Sequence, residues 1–348
     1  MTLSKDPIEF PFTDAPLPGE VLEVSSGIFW VRMPLPTLID HVNVYILEGK
    51  EDLSVVDTGL NFDVCKNAWK EILGKLFKNK PVRNLIVTHH HPDHVGLVGW
   101  FKRNYSSEVF SSRTSWLMAR MLYLDKQLKP SEQAIDFWRK AGMDEENLIK
   151  RKTTKPFNYA DVVSSIPLGF QNLLPKQELI LGDQRWRVEY GNGHAPDHIT
   201  LWGVDKPVVI AGDQIIPGIS PNLGVYPTEP FLDTASLWIK TCKEYQKLAL
   251  SEHLVLPGHK LPFFGLRTRL AQLIENHEGI LSRIEKALNE ESCTAVELFA
   301  PVYNRIIGTT EYGLALAETL GHLNYFRSLG RLSWIERDDG ALIYSLKY

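Results

Sequence analysis

The chain has 348 residues, of which 44% are hydrophobic and 23% charged, values that exclude a disordered, fibrous or low-complexity protein. Its length accommodates one large domain or two unequal ones. Thirty-eight Lys and Arg against 42 Asp and Glu leave a net charge of −4 with no basic block, so charge lends no support to polyanion binding.

Residues 1–20 lack a basic stretch followed by an apolar one, so no signal or transit peptide is read there. No apolar run approaches the roughly 20 residues of a membrane span. A cytoplasmic location is the expectation. Cys65, Cys242 and Cys293 form no CxxC pair and read as small hydrophobes rather than a disulfide framework.

Between about residues 21 and 262, short β-rich runs end in turns carrying Gly, Asp or His: 27–32, 43–48, 53–57, 84–88, 186–190, 199–203, 208–212 and 254–257. Helices are predicted between some of them, over 64–76, 95–103, 114–129 and 131–141. The segment from about 111 to 166 has helical periodicity and no strand signal, and reads as a helical cap inserted into the strand series. Beyond residue 262 the pattern changes to helices at 268–288, 292–303 and 312–329. A β-hairpin over 332–346 follows, turning at Asp338-Asp339-Gly340. Helices followed by a hairpin suggest a small winged-helix-like module over 266–348, after a catalytic domain over 1–265.

The segment that carries chemistry is Thr88-His89-His90-His91-Pro92-Asp93-His94, directly after an apolar strand. A loop leaving a strand in this HxHxDH spacing can turn His89 and His91 toward one metal ion while Asp93 and His94 face a second position, with donors that suit Zn²⁺, Fe²⁺ or Mn²⁺. Such a loop fills only part of each coordination shell. Single His or Asp residues on Gly-containing turns end three other strands: His194 after Gly191-Asn192-Gly193, Asp213 after Gly212, and His259 after Gly258.

In this order the motifs resemble those of the metallo-β-lactamase superfamily: Val55-Val56-Asp57-Thr58-Gly59, the His89–His94 cluster, then His194, Asp213 and His259. The resemblance implies an α/β fold, an αββα sandwich of two sheets with helices outside. It implies that His89, His91 and His194 bind one metal, that Asp93, His94 and His259 bind a second, and that Asp213 bridges them. Asp57 would orient a ligand histidine without touching metal. His198 stands where the superfamily has the second histidine of a GHxxGH pattern and is expected, like Asp57, to support the ligands without binding metal; Asp197 replaces the pattern's glycine, and a turn or N-cap is expected of it rather than a ligand. A subgroup of the superfamily also carries a C-terminal winged helix.

Two divalent ions sharing a water would lower its pKa toward neutrality and supply hydroxide, Asp93 holding the water and passing on its proton. The expected protein is thus a dinuclear hydrolase of a small-molecule ester, thioester or lactone, with Zn²⁺ first and Fe²⁺ or Mn²⁺ as alternatives. No serine or cysteine nucleophile motif is evident. Trp116, Met118, Met121, Tyr123, Phe137 and Trp138 in the insertion would either suit an apolar substrate or serve as helix core. Asn222, Tyr226 and His277 are weaker pocket candidates. His90 alternates out of the ligand set and reads as packed or solvated, and His41, His253 and His322 read as structural histidines. Two other readings compete: a phosphodiester or RNA hydrolase, and an iron-dependent persulfide dioxygenase. The first is weakened by the nine Lys and Arg against eleven Asp and Glu in residues 266–348. That module is expected to pack on the metal domain, shape its pocket or form a homodimer.

Overall fold

The computed structural model describes residues 7–78 and 80–347. Its centre is two β-sheets stacked face to face. The first has seven strands in sequential order: β1 (Leu22–Ser25), β2 (Ile28–Pro34), β3 (His41–Glu48), β4 (Leu53–Val56), β5 (Val82–Ile86), β6 (Glu108–Ser111) and β7 (Gln171–Asn172). The second runs β12 (Leu254–Pro257), β11 (Val208–Gly212), β10 (His198–Gly203), β9 (Gln184–Gly191) and β8 (Glu178–Leu181). Both sheets mix antiparallel meanders with parallel pairs: β4–β5–β6 and β11–β12 run parallel, so their chemistry-bearing ends emerge on one side.

Alternation along the strands assigns each face a core. Trp30, Tyr45 and Ile86 of the first sheet meet Trp186, Leu201 and Leu256 of the second between the sheets. The outer face of the first sheet, with Val44, Val55 and Leu85, packs on α1 (Asp63–Lys75), whose Trp69 meets Phe101 edge-on at 5.0 Å. The outer face of the second sheet, with Trp202 and Val255, packs on α7 (Thr234–Leu248) and α8 (Leu266–Glu290).

The segment predicted as one helix over 95–103 breaks at Gly96 into α2 (Pro92–Val95) and α3 (Val98–Tyr105). A Cβ on Gly96 would lie 2.5 Å from the Gly59 carbonyl, so this is where the DTG turn and the histidine loop touch. Between β6 and β7 the chain forms α4 (Arg113–Leu124), α5 (Glu132–Lys140) and α6 (Glu145–Thr153), the expected helical insertion. After α8 come α9 (Phe299–Tyr303), α10 (Tyr312–Ser328) and an antiparallel hairpin of β13 (Leu332–Glu336) and β14 (Leu342–Leu346). These C-terminal elements share one continuous core with α7 and the second sheet.

Three expectations are corrected. Helix α7 stands where no helix is predicted. The predicted helix over 292–303 is helical only from Phe299, because Cys293 pairs with Tyr344 of the hairpin and Thr294 and Glu297 then form a reciprocal capping box. The predicted helix over 114–129 ends at Leu124. No helix among the described residues is long and apolar enough to cross a membrane.

Candidate metal centre

The strand ends converge on one pit. Asp57 follows β4, the histidine loop follows β5, His194 lies between β9 and β10, Asp213 follows β11 and His259 follows β12. Two sets of donor atoms gather there within 4.8 Å: His89, His91, His194 and Asp213 in one, Asp93, His94 and His259 in the other.

Each turn is held by its own contacts. Asn43 of β3 donates to the carbonyls of Pro257 (2.9 Å) and Lys260 (2.8 Å), and the Tyr45 hydroxyl donates to Pro257 (2.7 Å), so the first sheet clamps the turn of the second that carries His259. Buried Arg269 of α8 donates to the carbonyls of Ile216 (2.7 Å) and Ile219 (2.6 Å), fixing the loop beyond Asp213. Gly258 is required by close approach: a Cβ there would lie 2.2 Å from Asp213 Oδ1. Asp57 adopts a left-handed conformation (φ 62°), backbone strain of the kind that collects at functional sites.

These contacts also set proton positions. His94 Nδ1 donates to Asp57 Oδ2 (2.8 Å), His194 Nδ1 to the Asn222 carbonyl (2.9 Å) and His259 Nδ1 to the His41 carbonyl (2.7 Å). Thr88 Oγ1 gives its proton to Asp57 (2.7 Å) and so accepts from His89 Nδ1 (3.0 Å). Four imidazoles thus carry hydrogen on Nδ1 and turn Nε2 inward, the nitrogen that would meet a cation. Nε2 of His89, His94 and His194 and Oδ1 of Asp213 are buried with no hydrogen-bond partner. From Asp213, His94 and His259 stand at 3.3 Å, His194 at 3.6 Å and His89 at 4.0 Å; from Asp93, His259 stands at 3.5 Å and His94 at 3.6 Å. Ligands about 2.0–2.2 Å from one tetrahedral ion lie about 3.4 Å apart, so orphaned N and O donors at these separations fit divalent cations.

Burial pushes His89 and His91 well below the ordinary imidazole range, reinforced by the neighbouring histidines. Burial acts the same way on His94, but Asp213, Asp93 and Asp57 together outweigh it and hold that ring up. Asp213 is likewise desolvated, yet His259 and His94 keep its carboxyl well below the usual carboxylate range. The pit therefore keeps its carboxylates anionic, and the same attraction that lowers Asp213 raises His94 and His259 while burial lowers His89 and His91.

His198 accepts from the Asp213 amide at Nε2 (3.1 Å) and stacks on His89 at 4.5 Å, supporting both. Asp197 adopts φ 48°, which accounts for aspartate where the family pattern has glycine, and its carboxylate accepts from Thr114 at the start of α4. His90 is buried and its carbonyl accepts from the Tyr159 hydroxyl.

A cavity of about 790 Å³ opens from the pit beneath the insertion, lined by His91, Asp93, His194 and Asp213, by Asn222 and Tyr226, and by Met118, Met121, Leu122 and Phe157. Of the six cap residues, only the two methionines line it. Trp116 stacks on Phe170 in the core on the outer face of the first sheet, Tyr123 packs on that core, and Phe137 and Trp138 pack on the core shared by α7, α8 and the C-terminal elements. His277 is a correction: its ring is fully buried, lines neither this cavity nor its neighbour, and bonds to Ser220 and His322. Sequence reasoning missed Arg269 and Ser220, which carry no motif.

A model of the metallo-beta-lactamase superfamily matches residues 38–259, and the chain belongs to that superfamily. It is a metal-dependent hydrolase of that class. It is similar to the probable metallo-hydrolase YqjP of Bacillus subtilis (strain 168), with 22% identity over 313 residues, 86% of this chain and 92% of that one. Its fold is similar to a crystal structure of a beta-lactamase domain protein from Burkholderia ambifaria (TM-score 0.89, 28% identity, 98% of each chain). A metallo-beta-lactamase family protein from Thermus thermophilus shares the fold at TM-score 0.77 and 24% identity, over 93% of this chain and 100% of that one.

Losing the Asp57 carboxylate would free His94 to rotate. Asp57→Ala is expected to weaken metal retention about 10–100-fold, the cost typical of removing a partner behind a ligand, as measured by competition with a chelator.

Proposed function

We propose that the protein is a dinuclear hydrolase acting on an ester, thioester or lactone with an apolar acyl portion. The observation that carries the reading is the set of four fixed imidazole tautomers around Asp213 and Asp93. Two divalent cations held there, Zn²⁺ before Fe²⁺ or Mn²⁺, would supply an acidified water and polarisation of the scissile carbonyl.

The chain's own residues do the rest. His89, His91 and His194 would hold one ion and Asp93, His94 and His259 the other, with Asp213 available to both sets. Asp93 lines the cavity and takes the proton of the attacking water, returning it to the leaving oxygen or sulfur. Water adds across the C–O or C–S bond to give an acid and an alcohol or thiol. Met118, Met121, Leu122 and Phe157 bind the acyl portion and exclude bulk water, while Asn222 and Tyr226 contact the substrate near the ions. Residues 1–265 are read as the catalytic domain and 266–348, α8 to the β13–β14 hairpin, as a winged-helix-like module packed on it through a core shared with α7 and the second sheet.

The test is metal analysis of protein purified without added metal, with ester, thioester, lactone, β-lactam and phosphodiester substrates assayed on the same sample. Two equivalents of metal and ester-class hydrolysis abolished in His91→Ala are expected. One equivalent of iron with oxygen uptake on a persulfide would replace this reading with a dioxygenase, and cleavage of the phosphodiester alone would replace it with a phosphodiesterase.

A further inference from the structure

A second cavity, of about 450 Å³, reaches His194, Asp213 and His259 from the side of the C-terminal helices. It meets the first at the pit, since His194, Asp213, Asn222 and Leu314 line both. A bond held at the pit therefore has an arm on either side, and the arms differ in chemistry.

Ser220 lines the second arm, 2.7 Å from His277 Nε2. His277 Nδ1 lies 3.0 Å from His322 Nε2, and His322 Nδ1 lies 2.8 Å from the Glu318 backbone carbonyl. The carbonyl can only accept, so the His322 proton is on Nδ1 and its Nε2 is a lone pair. That lone pair takes the proton of His277 Nδ1, which leaves His277 Nε2 to accept the Ser220 hydroxyl proton. Both rings are completely buried, and burial pushes His277 down to about 3 and His322 to about 4, so both are neutral near pH 7 and the chain runs in one direction. Ser220 Oγ offers lone pairs alone to the cavity.

The donor side chains of Tyr303, Asn222 and Arg305 along this arm are engaged. The Tyr303 hydroxyl has its single proton shared between the Ala315 carbonyl (3.0 Å) and Glu318 Oε2 (2.9 Å), and the Asn222 amide donates to the Leu314 carbonyl (3.2 Å). The Arg305 guanidinium is paired with both carboxylate oxygens of Glu311 at 2.8 Å.

We infer that the second arm is the leaving-group subsite and that Ser220 is its specificity-determining residue, accepting a hydrogen bond from a hydroxyl or amine on the leaving group. This deepens the hydrolase reading and rests on it. The substrate class narrows to acyl esters of polyols or amino alcohols. A phosphate-bearing leaving group finds no uncommitted cation among the described residues lining that arm.

Non-hydrolysable ethers separate binding from chemistry. Calorimetry on the metal-loaded protein would compare 1-O-hexylglycerol with hexyl propyl ether at pH 8, above the value of about 7 to which burial raises Glu318. The glyceryl ether is expected to bind about tenfold tighter, the effect of one net hydrogen bond. Ser220→Ala should reduce that ratio to about twofold or less and Ser220→Thr restore it, with the ratio of kcat/KM for glyceryl and propyl hexanoate changing in parallel through KM. Equal binding of the two ethers, or a preference that survives Ser220→Ala, overturns the inference. Discrimination between the ethers with neither ester hydrolysed supports the subsite and overturns the hydrolase reading instead.

Discussion

An Asp213→Ala protein is expected to fold and yet lose metal from both donor groups, with hydrolysis reduced well beyond the 10–100-fold typical of losing a partner behind a ligand. Asp213 is the carboxylate that all four tautomer-fixed imidazoles share: His89, His94, His194 and His259 each point Nε2 at one of its oxygens within 4.0 Å. Without it, one group keeps three imidazoles and no anion, and the other keeps Asp93 alone to offset a cation's charge. The amide of residue 213 would still reach His198, so the loop keeps its anchor. Metal content by elemental analysis, with far-UV circular dichroism as the folding control, reads the outcome. Asp213→Asn retains the shape and removes the charge; it should be equally metal-poor, and a variant holding two equivalents would show that the imidazoles suffice.

The centre was legible because its donors sit where strand periodicity ends, and a buried strand followed by His or Asp beside Gly is conspicuous. Asp57, His89, His91, Asp93, His94, His194, Asp213 and His259 all lie within two or so residues of a strand end or on the loop leaving it. What was not legible is non-local or masked by propensity. Helix α7 has apolar residues at helical spacing, Ala235, Trp238, Ile239, Cys242 and Tyr245, and an Asp233 N-cap, but its Thr, Trp, Ile and Tyr content imitates a strand. Strand β8 places the apolar Ile180 on its exposed side beside Glu178, which hides the usual polar alternation, and β7 is two residues long. The Ser220–His277–His322 chain joins residues 57 and 45 positions apart, so no local pattern announces it. His277 accordingly reads as a pocket residue when it is the buried link behind one.

Truncating the two tryptophans beneath the centre should separate its halves. Trp238 is fully buried in α7, and Gly193 packs so closely on it that a Cβ on that glycine, at φ 106°, would lie 2.6 Å from Trp238 Cβ. Trp238 thus floors the turn carrying His194. Trp69, fully buried in α1, donates from its indole to the Thr58 carbonyl (2.8 Å), and Thr58 in turn donates to the His94 carbonyl (2.8 Å). It steadies the other group. Each Trp→Ala change removes a large core side chain and should cost about 3–5 kcal/mol, read from urea unfolding. Their effects on metal should diverge: Trp238→Ala is expected to weaken the ion lost in His194→Ala, and Trp69→Ala the ion lost in His94→Ala, in stepwise removal by a chelator. Parallel loss of both ions in both variants would mean that the centre responds to global stability alone, whereas divergence would trace each half of the site to the helix layer packed behind it.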